Sequence, residues 1–232
     1  MVFTLKKTFK SAFKSTLPVL AGYLSLGLAF GILMVSKGLS PYLAVFMSVI
    51  VFAGSMQFVA VDLLAGAFQP LYAFLLTIVI NARHIMYGIS MLGRYKNVGG
   101  IKPYLIFGLT DETFSILCAP EVEEREDKRR YMLFVTLLDH SYWVMGTLLG
   151  VIAGSLIGFD SKGIDFVMVA LFTVIVVDQW RSQTRHLPAI IGAASSLVSL
   201  FVFGPSNFII PAMILMSALL CLFKKRIEGG KV

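Results

Sequence analysis

Apolar runs of spanning length follow one another along this 232-residue chain, and the third of them has a charge in its middle. It reads Pro70-Leu71-Tyr72-Ala73-Phe74-Leu75-Leu76-Thr77-Ile78-Val79-Ile80, then Asn81-Ala82-Arg83-His84, then Ile85-Met86-Tyr87-Gly88-Ile89-Ser90-Met91-Leu92. A hydrocarbon core roughly 30 Å thick takes about 20 apolar residues as helix, so runs of this kind point to membrane spans. An arginine inside one is costly; it is expected to face a protein interior or a water-filled path and to have a partner there. The runs are continuous rather than alternating, which excludes a transmembrane barrel and leaves an all-α, polytopic integral membrane helix bundle. Composition agrees: 57% of residues are hydrophobic and only 14% charged, against about 25% charged in soluble domains.

Eight segments can be marked: 17–35, 41–63, 70–93, 101–120, 131–158, 163–180, 187–204 and 207–223. Between them lie glycine, proline and polar residues that punctuate helices. This gives a basic N-terminus (1–16), a first transmembrane half (17–120), a charged connector (121–130), a second half (131–223) and a basic C-terminus (224–232). Lysine and arginine collect on the cytoplasmic side of membrane proteins. With the N-terminus cytoplasmic, eight crossings put fourteen positive residues inside and five outside; removing 101–120 from the crossings reverses that count. Eight is therefore the expectation, with Arg94, Lys96 and Lys102 outside. A re-entrant or tilted 101–120 keeps seven open. Asp62 is expected near the inner end of 41–63.

A weak internal two-fold repeat is visible. Tyr23, Gly27 and Gly31 have the spacing of Tyr142, Gly146 and Gly150, and Gln57 and Asn81 have rough counterparts in Gln179 and Asn207. Small residues four apart let helix backbones approach closely, and packing is one reading of Gly27, Gly31, Gly146 and Gly150. The other sets Gly27 and Gly31 beside a bound solute, as in transporters built from repeats.

Around the arginine, Asn81, His84 and Gly88 share one helical stripe and Arg83 and Tyr87 an adjacent one. Asp111 and Glu112, in the middle of the next segment, are the candidate partners of Arg83, either as a bracing ion pair or as a switch that opens on binding. A second acid, or His84 or His140, could carry protons. Gln57 lies well inside its segment. Phosphate-binding loops, dinucleotide fingerprints and zinc signatures are missing, so no enzyme, cofactor or metal is expected. The net charge of +7 belongs to helix ends rather than to a nucleic-acid surface. Cys118 and Cys221 read as packing residues. The basic, then apolar N-terminus reads as a retained first span.

Four blocks together resemble the AzlC family over nearly the whole chain: Leu17-Pro18 with Gly22 and Phe30-Gly31; Phe52-Ala53-Gly54-Ser55-Met56-Gln57-Phe58; Ile80-Asn81-Ala82-Arg83-His84 with Tyr87-Gly88; and Leu109-Thr110-Asp111-Glu112-Thr113-Phe114. Family members often have Ala-Ser-Gln at Ser55-Met56-Gln57 and Leu at Ala82. The resemblance implies the large subunit of a two-component exporter of branched-chain amino acids, sometimes methionine, in the bacterial inner membrane. It further implies proton-gradient drive and a small hydrophobic AzlD-type partner. On that reading Arg83 or a helix end meets the substrate carboxylate, and Asp111 or Glu112 its ammonium. Gln57 and Asn81 add hydrogen bonds, and Phe30, Phe52, Met56 or Phe58 surround the side chain. Transport of another small solute, channel-like or otherwise, and a non-transporting membrane scaffold are the alternatives.

Overall fold

The computed structural model describes residues 2–67, 69–157, 186–205 and 208–223, and the single positions 173, 176, 177, 180 and 181. The chain divides into two compact units, residues 1–167 and 168–232. All regular structure among the described residues is helical.

Two long helices, α1 (Val2–Ser36) and α9 (Lys128–Ile157), form the spine of the first unit. They run parallel and touch backbone to backbone. A Cβ on Gly31 would meet the Thr147 carbonyl oxygen at 2.4 Å, and one on Gly150 the Leu28 carbonyl oxygen at 2.1 Å. A Cβ on Gly27 or Gly146 would also come within 3 Å of the opposite backbone. Residue pairs ascend together, from Ser15 with Tyr131 to Gly27 with Gly146 and Gly31 with Gly150. These glycine pairs are the ones aligned by the sequence echo. Where lipid gives helices no hydrophobic drive to associate, such close approach supplies the packing energy.

Between the spine helices the chain makes two hairpins and one pass. Helix α2 (Pro41–Ile50) leaves the Ser36 end of α1 through a turn with Gly38 at φ 73°. It descends along α9, bringing Ser48 Oγ within 2.8 Å of Thr147 Oγ1. It stops where Phe52 takes a left-handed φ of 44°, a conformation that costs a non-glycine residue about 1–3 kcal/mol. Phe52 is held there by Tyr23, Phe107 and His140, with ring centroids 6.3, 6.1 and 4.5 Å away. Helix α3 (Gly54–Ala65) then climbs back. Gln57 returns to the level of Ser48 (3.3 Å), Phe58 meets Phe30 at 5.7 Å, and Asp62 reaches Lys37 at 3.4 Å.

Helices α4 (Pro70–Asn81) and α5 (Arg83–Met91), bent by 45° at Ala82, carry the chain to the opposite end. There Arg94 donates to the carbonyls of Leu117, Cys118 and Ala119 at 2.8–3.0 Å, and Tyr95 donates to that of Leu105. The second hairpin rises from this end as α6 (Lys102–Phe107), turns at Gly108-Leu109-Thr110, and descends as α7 (Asp111–Leu117) to Arg94. The short α8 (Pro120–Glu123) leads into α9. Ala12, Met91, Val98, Leu105, Leu117, Val122, Tyr131 and Met132 close an apolar core at this end. Burial holds the Tyr95 hydroxyl well above its usual pKa. The two hairpins thus enter from opposite ends and meet tip to tip.

The expectation of eight crossings, or seven, is overturned. Among the described residues two helices, Leu5–Ser36 and Lys128–Leu156, are long and apolar enough to cross a membrane, and a third if the bent pair 70–81 and 83–91 counts as one span. Segments 41–63 and 101–120 return to the side they came from. Hydropathy reports what a segment tolerates around it, and says nothing of a reversal made by one left-handed residue or a Thr-capped helix start. Asp62 accordingly lies beside Lys37, not at the other end. Arg94, Lys96 and Lys102 join the basic end, the placement that the eight-crossing count could not give them.

In the second unit, α10 (Leu187–Phe203) and α11 (Ile209–Leu222) pack together, with Gly192 against Met216. Both are apolar and shorter than a span. Segment 163–180 falls outside the described residues apart from Thr173, Val176, Val177 and Trp180, as do Gln179, Asn207 and the C-terminus from 224.

Candidate functional site

The hairpin tips and the break in α4–α5 converge on Arg83. One guanidinium nitrogen donates to Asp111 Oδ2 at 2.5 Å and the other to Ser55 Oγ at 2.9 Å. Arg83 opens α5, Ser55 lies in the first turn of α3, and Asp111 opens α7. A single side chain therefore ties together three broken elements. The Arg83 and Asp111 side chains are 40% and 38% exposed, so a solute could reach both.

Local sequence explains the placement. Thr110 caps α7, its Oγ1 accepting from the Thr113 amide, and two acids in the first helical turn suit the positive end of the helix dipole. The tip at Gly108 sits so close to α9 that a Cβ would meet Thr136 Cγ2 at 2.2 Å. Gly54 lies against the Trp143 ring, 3.1 Å from a would-be Cβ.

Other polar residues from the sequence fall into separate roles. Gln57 is fully buried and has both ends engaged by protein: Trp143 Nε1 donates to its Oε1 at 3.1 Å, and its amide nitrogen donates to Ser48. It locks the first hairpin to the spine rather than joining Arg83. The carbonyl of Asn81 lies 3.2 Å from His84 Nδ1, and the His84 ring packs on Tyr87. Glu112 accepts from the Tyr23 hydroxyl at 2.6 Å, turned from Arg83 toward α1. Phe30 and Phe58 pack on each other and on Trp143, and Met56 is buried on the same hairpin. Gly27, Gly31, Gly146 and Gly150 serve the spine.

The fold brings to the centre several residues that sequence reasoning left without a partner. Ser55 reads as an ordinary small residue until the hairpin turns it to Arg83. Asp139 lies in α9, fully buried, with Oδ2 accepting from Thr113 at 2.8 Å and Oδ1 without a partner. A carboxylate eleven residues beyond the start of an apolar helix was the available signal. His140 is held on both ring nitrogens, donating from Nε2 to the Ser48 carbonyl and accepting at Nδ1 from Tyr104. No group of three His, Cys, Asp or Glu that could hold a metal occurs among the described residues. An open groove of about 1020 Å³ at the basic end, lined in part by Lys7, Arg125, Asp127 and Arg129, does not reach Arg83.

Known proteins resemble this chain along most of its length. The family model described as AzlC protein matches residues 18–157, which include most of the spine and both hairpins. The branched-chain amino acid transport protein AzlC of Bacillus subtilis is 48% identical over 224 residues, covering 97% of this chain and 88% of that protein. An uncharacterized membrane protein of Helicobacter pylori is 39% identical over 222 residues, 96% of this chain and 97% of its own length. The inner membrane protein YgaZ of Escherichia coli is 32% identical over 202 residues, 84% of this chain and 82% of its own. No solved structure matches. The matched length, the identity across it and the multi-pass helical architecture lead to one conclusion: the chain is a membrane protein of the AzlC family.

Proposed function

We propose that this chain is the transporting subunit of a branched-chain amino acid exporter of the bacterial inner membrane. The reading takes its cargo from the Bacillus relative that is named for branched-chain amino acid transport. The observation that carries the mechanism is Arg83 bonded to both hairpin tips, through Ser55 and Asp111. A zwitterion can replace this internal pair by its own two charges: Arg83 takes the carboxylate and Asp111 the ammonium. Each hairpin closes one side of the site, so its release would open that side alone. Discrimination of one methylene is worth only about 1–3 kcal/mol, so valine, leucine, isoleucine and methionine fall in one substrate class.

The orientation follows from charge. Lys6, Lys7, Lys10, Lys14, Arg94, Lys96, Lys102, Arg125, Lys128, Arg129 and Arg130 gather at one end of the first unit, and Lys37 lies at the other. Basic residues favour the cytoplasm, which puts the N-terminus and the second hairpin inside and the first hairpin outside. A small AzlD-type membrane subunit completes the transporter, meeting exposed apolar surface such as Leu71, Phe74, Ile85 or Met86. Proton coupling supplies the drive. The chain acts as a transporter rather than an enzyme.

The test is counterflow of labelled valine in proteoliposomes holding this chain and its small partner. Exchange in the wild type and none in Arg83→Ala is the expected result. A panel of other solutes separates the alternatives: selective movement of a different solute would replace the cargo, and movement of none would leave a scaffold.

A further inference from the structure

Four hydrogen bonds link Glu112 to Asp139 in an unbroken line. Tyr23 Oη lies 2.6 Å from Glu112 Oε2 and 2.6 Å from Thr110 Oγ1. Thr110 Oγ1 lies 3.1 Å from Thr113 Oγ1, and Thr113 Oγ1 lies 2.8 Å from Asp139 Oδ2. The line runs from a half-buried acid beside the Arg83 site to a carboxyl sealed inside the spine.

Counting protons decides what this line holds. Each of the three hydroxyls has one hydrogen to give, and an ionised carboxylate has none. With both acids ionised, three protons must serve four contacts, and one pair of oxygens faces each other bare. One added proton, on either acid, completes all four. The environment of Asp139 points the same way. Its Oδ1 is buried without a partner, and an ionised carboxylate in such a place is costly. The titratable groups around Asp139 are Glu112 on α7, Tyr23 on α1, and His140 and Tyr142 on its own helix; none is a cation paired to it. His140 spends both nitrogens elsewhere, Tyr142 bonds Thr16, and Arg83 is engaged by Asp111.

We propose that Glu112 and Asp139 share one dissociable proton, relayed by Tyr23, Thr110 and Thr113, and that this is the proton exchanged against substrate. When the Glu112 O–H breaks, its proton passes to Tyr23 Oη, the tyrosine proton to Thr110, the Thr110 proton to Thr113, and the Thr113 proton to Asp139 Oδ2. Every hydroxyl ends neutral, and the negative charge moves from Asp139 to Glu112. That charge then lies on the residue next to Asp111, where it changes the site's affinity for a zwitterion. Thr110 and Thr113 belong to the second hairpin, so opening that hairpin breaks the line and traps the proton at one end.

The inference rests on the transport reading, and the experiment separates the two. Infrared spectra of the purified protein are read first, without transport, for the carbonyl stretch of a buried protonated carboxyl. One such band in wild type, lost in Asp139→Asn or shifted in Glu112→Gln, is expected; no band at neutral pH overturns the shared proton. Proteoliposomes with the small partner are then given a pH gradient. Asp139→Asn, whose amide can still donate to Thr113, is expected to lose gradient-driven accumulation of valine and to keep counterflow. Tyr23→Phe should do the same, because it cuts the line. Accumulation that persists in Asp139→Asn overturns the coupling role, and so does loss of both activities together. Absence of counterflow in wild type overturns the transport reading and the coupling with it, leaving the infrared band to decide the proton alone.

Discussion

The spine and the hairpin tips lie side by side in one unit and are built on opposite principles. In the spine, Gly27, Gly31, Gly146 and Gly150 remove side chains so that α1 and α9 meet through backbone atoms. Nothing there can shift without losing contact along several turns. At the tips, three helices are broken, one residue is held in the left-handed region, and polar side chains replace backbone contact. Polar bonds across a break can be exchanged for bonds to a solute, whereas interlocked backbones cannot. The comparison assigns rigidity to the spine and movement to the hairpins.

The hardest blow to that contrast is a side chain in the spine. Gly150→Leu puts a Cβ 2.1 Å from the Leu28 carbonyl oxygen; overpacking typically costs about 1–3 kcal/mol and occasionally more, and here it meets backbone rather than a side chain that could move aside. Loss of the folded, monodisperse protein in detergent is expected, and a normal melting transition would show that the spine can yield. Arg83→Ala comes next: transport is expected to vanish, with stability changed by less than about 1 kcal/mol, because the pair is partly exposed and solvent-screened. A large drop in melting temperature for this variant would make Arg83 a brace like the glycines.

Gln57→Leu tests the boundary between the regions. It strands the Trp143 indole N–H, while Ser48 keeps its bond to Thr147, and an unsatisfied buried donor costs about 1–3 kcal/mol. Lower stability with residual counterflow is expected, since Gln57 does not touch Arg83.

The smallest effect lies at the basic end, where Asp127 accepts from Arg125 and from Thr8. Burial there opposes the charged carboxylate, but those bonds outweigh it and lower its pKa below the ordinary 3.8. Its stabilisation is therefore complete above that value and is lost as pH falls through the lower folded value. Asp127→Asn should cost less than about 1 kcal/mol after solvent screening and flatten the melting temperature's dependence on acid below pH 3.8.

Particular residues show how far sequence reaches. The glycine echo could be read directly, because four-residue spacing is a local property that helices turn into a face. The charge of Arg83 and the acids at 111 and 112 could be read for the same reason: an ionised group in an apolar run is conspicuous wherever it ends up. What failed was the path between them. Segment 41–63 is a continuous apolar run and 101–120 is interrupted by Lys102, Asp111 and Glu112, but in both the reversals rest on Phe52, Gly108 and Thr110, which do not announce a turn in hydropathy. Ser55 and Asp139 could not be given partners, because Ser55 is small and uncharged and the residue that bonds Asp139, Thr113, lies on another helix.

The sequence by itself determined that this is an all-helical membrane protein, with a small-residue helix contact and a charged centre, since lipid demands internal hydrogen bonding and makes every charge costly. Only the tertiary structure decided that two apolar segments turn back at mid-depth, that Arg83 bonds to both of their tips, and that Glu112 is connected to Asp139. Each of these depends on which residues meet across long stretches of chain, and a pattern that encodes only affinity for lipid cannot specify those meetings.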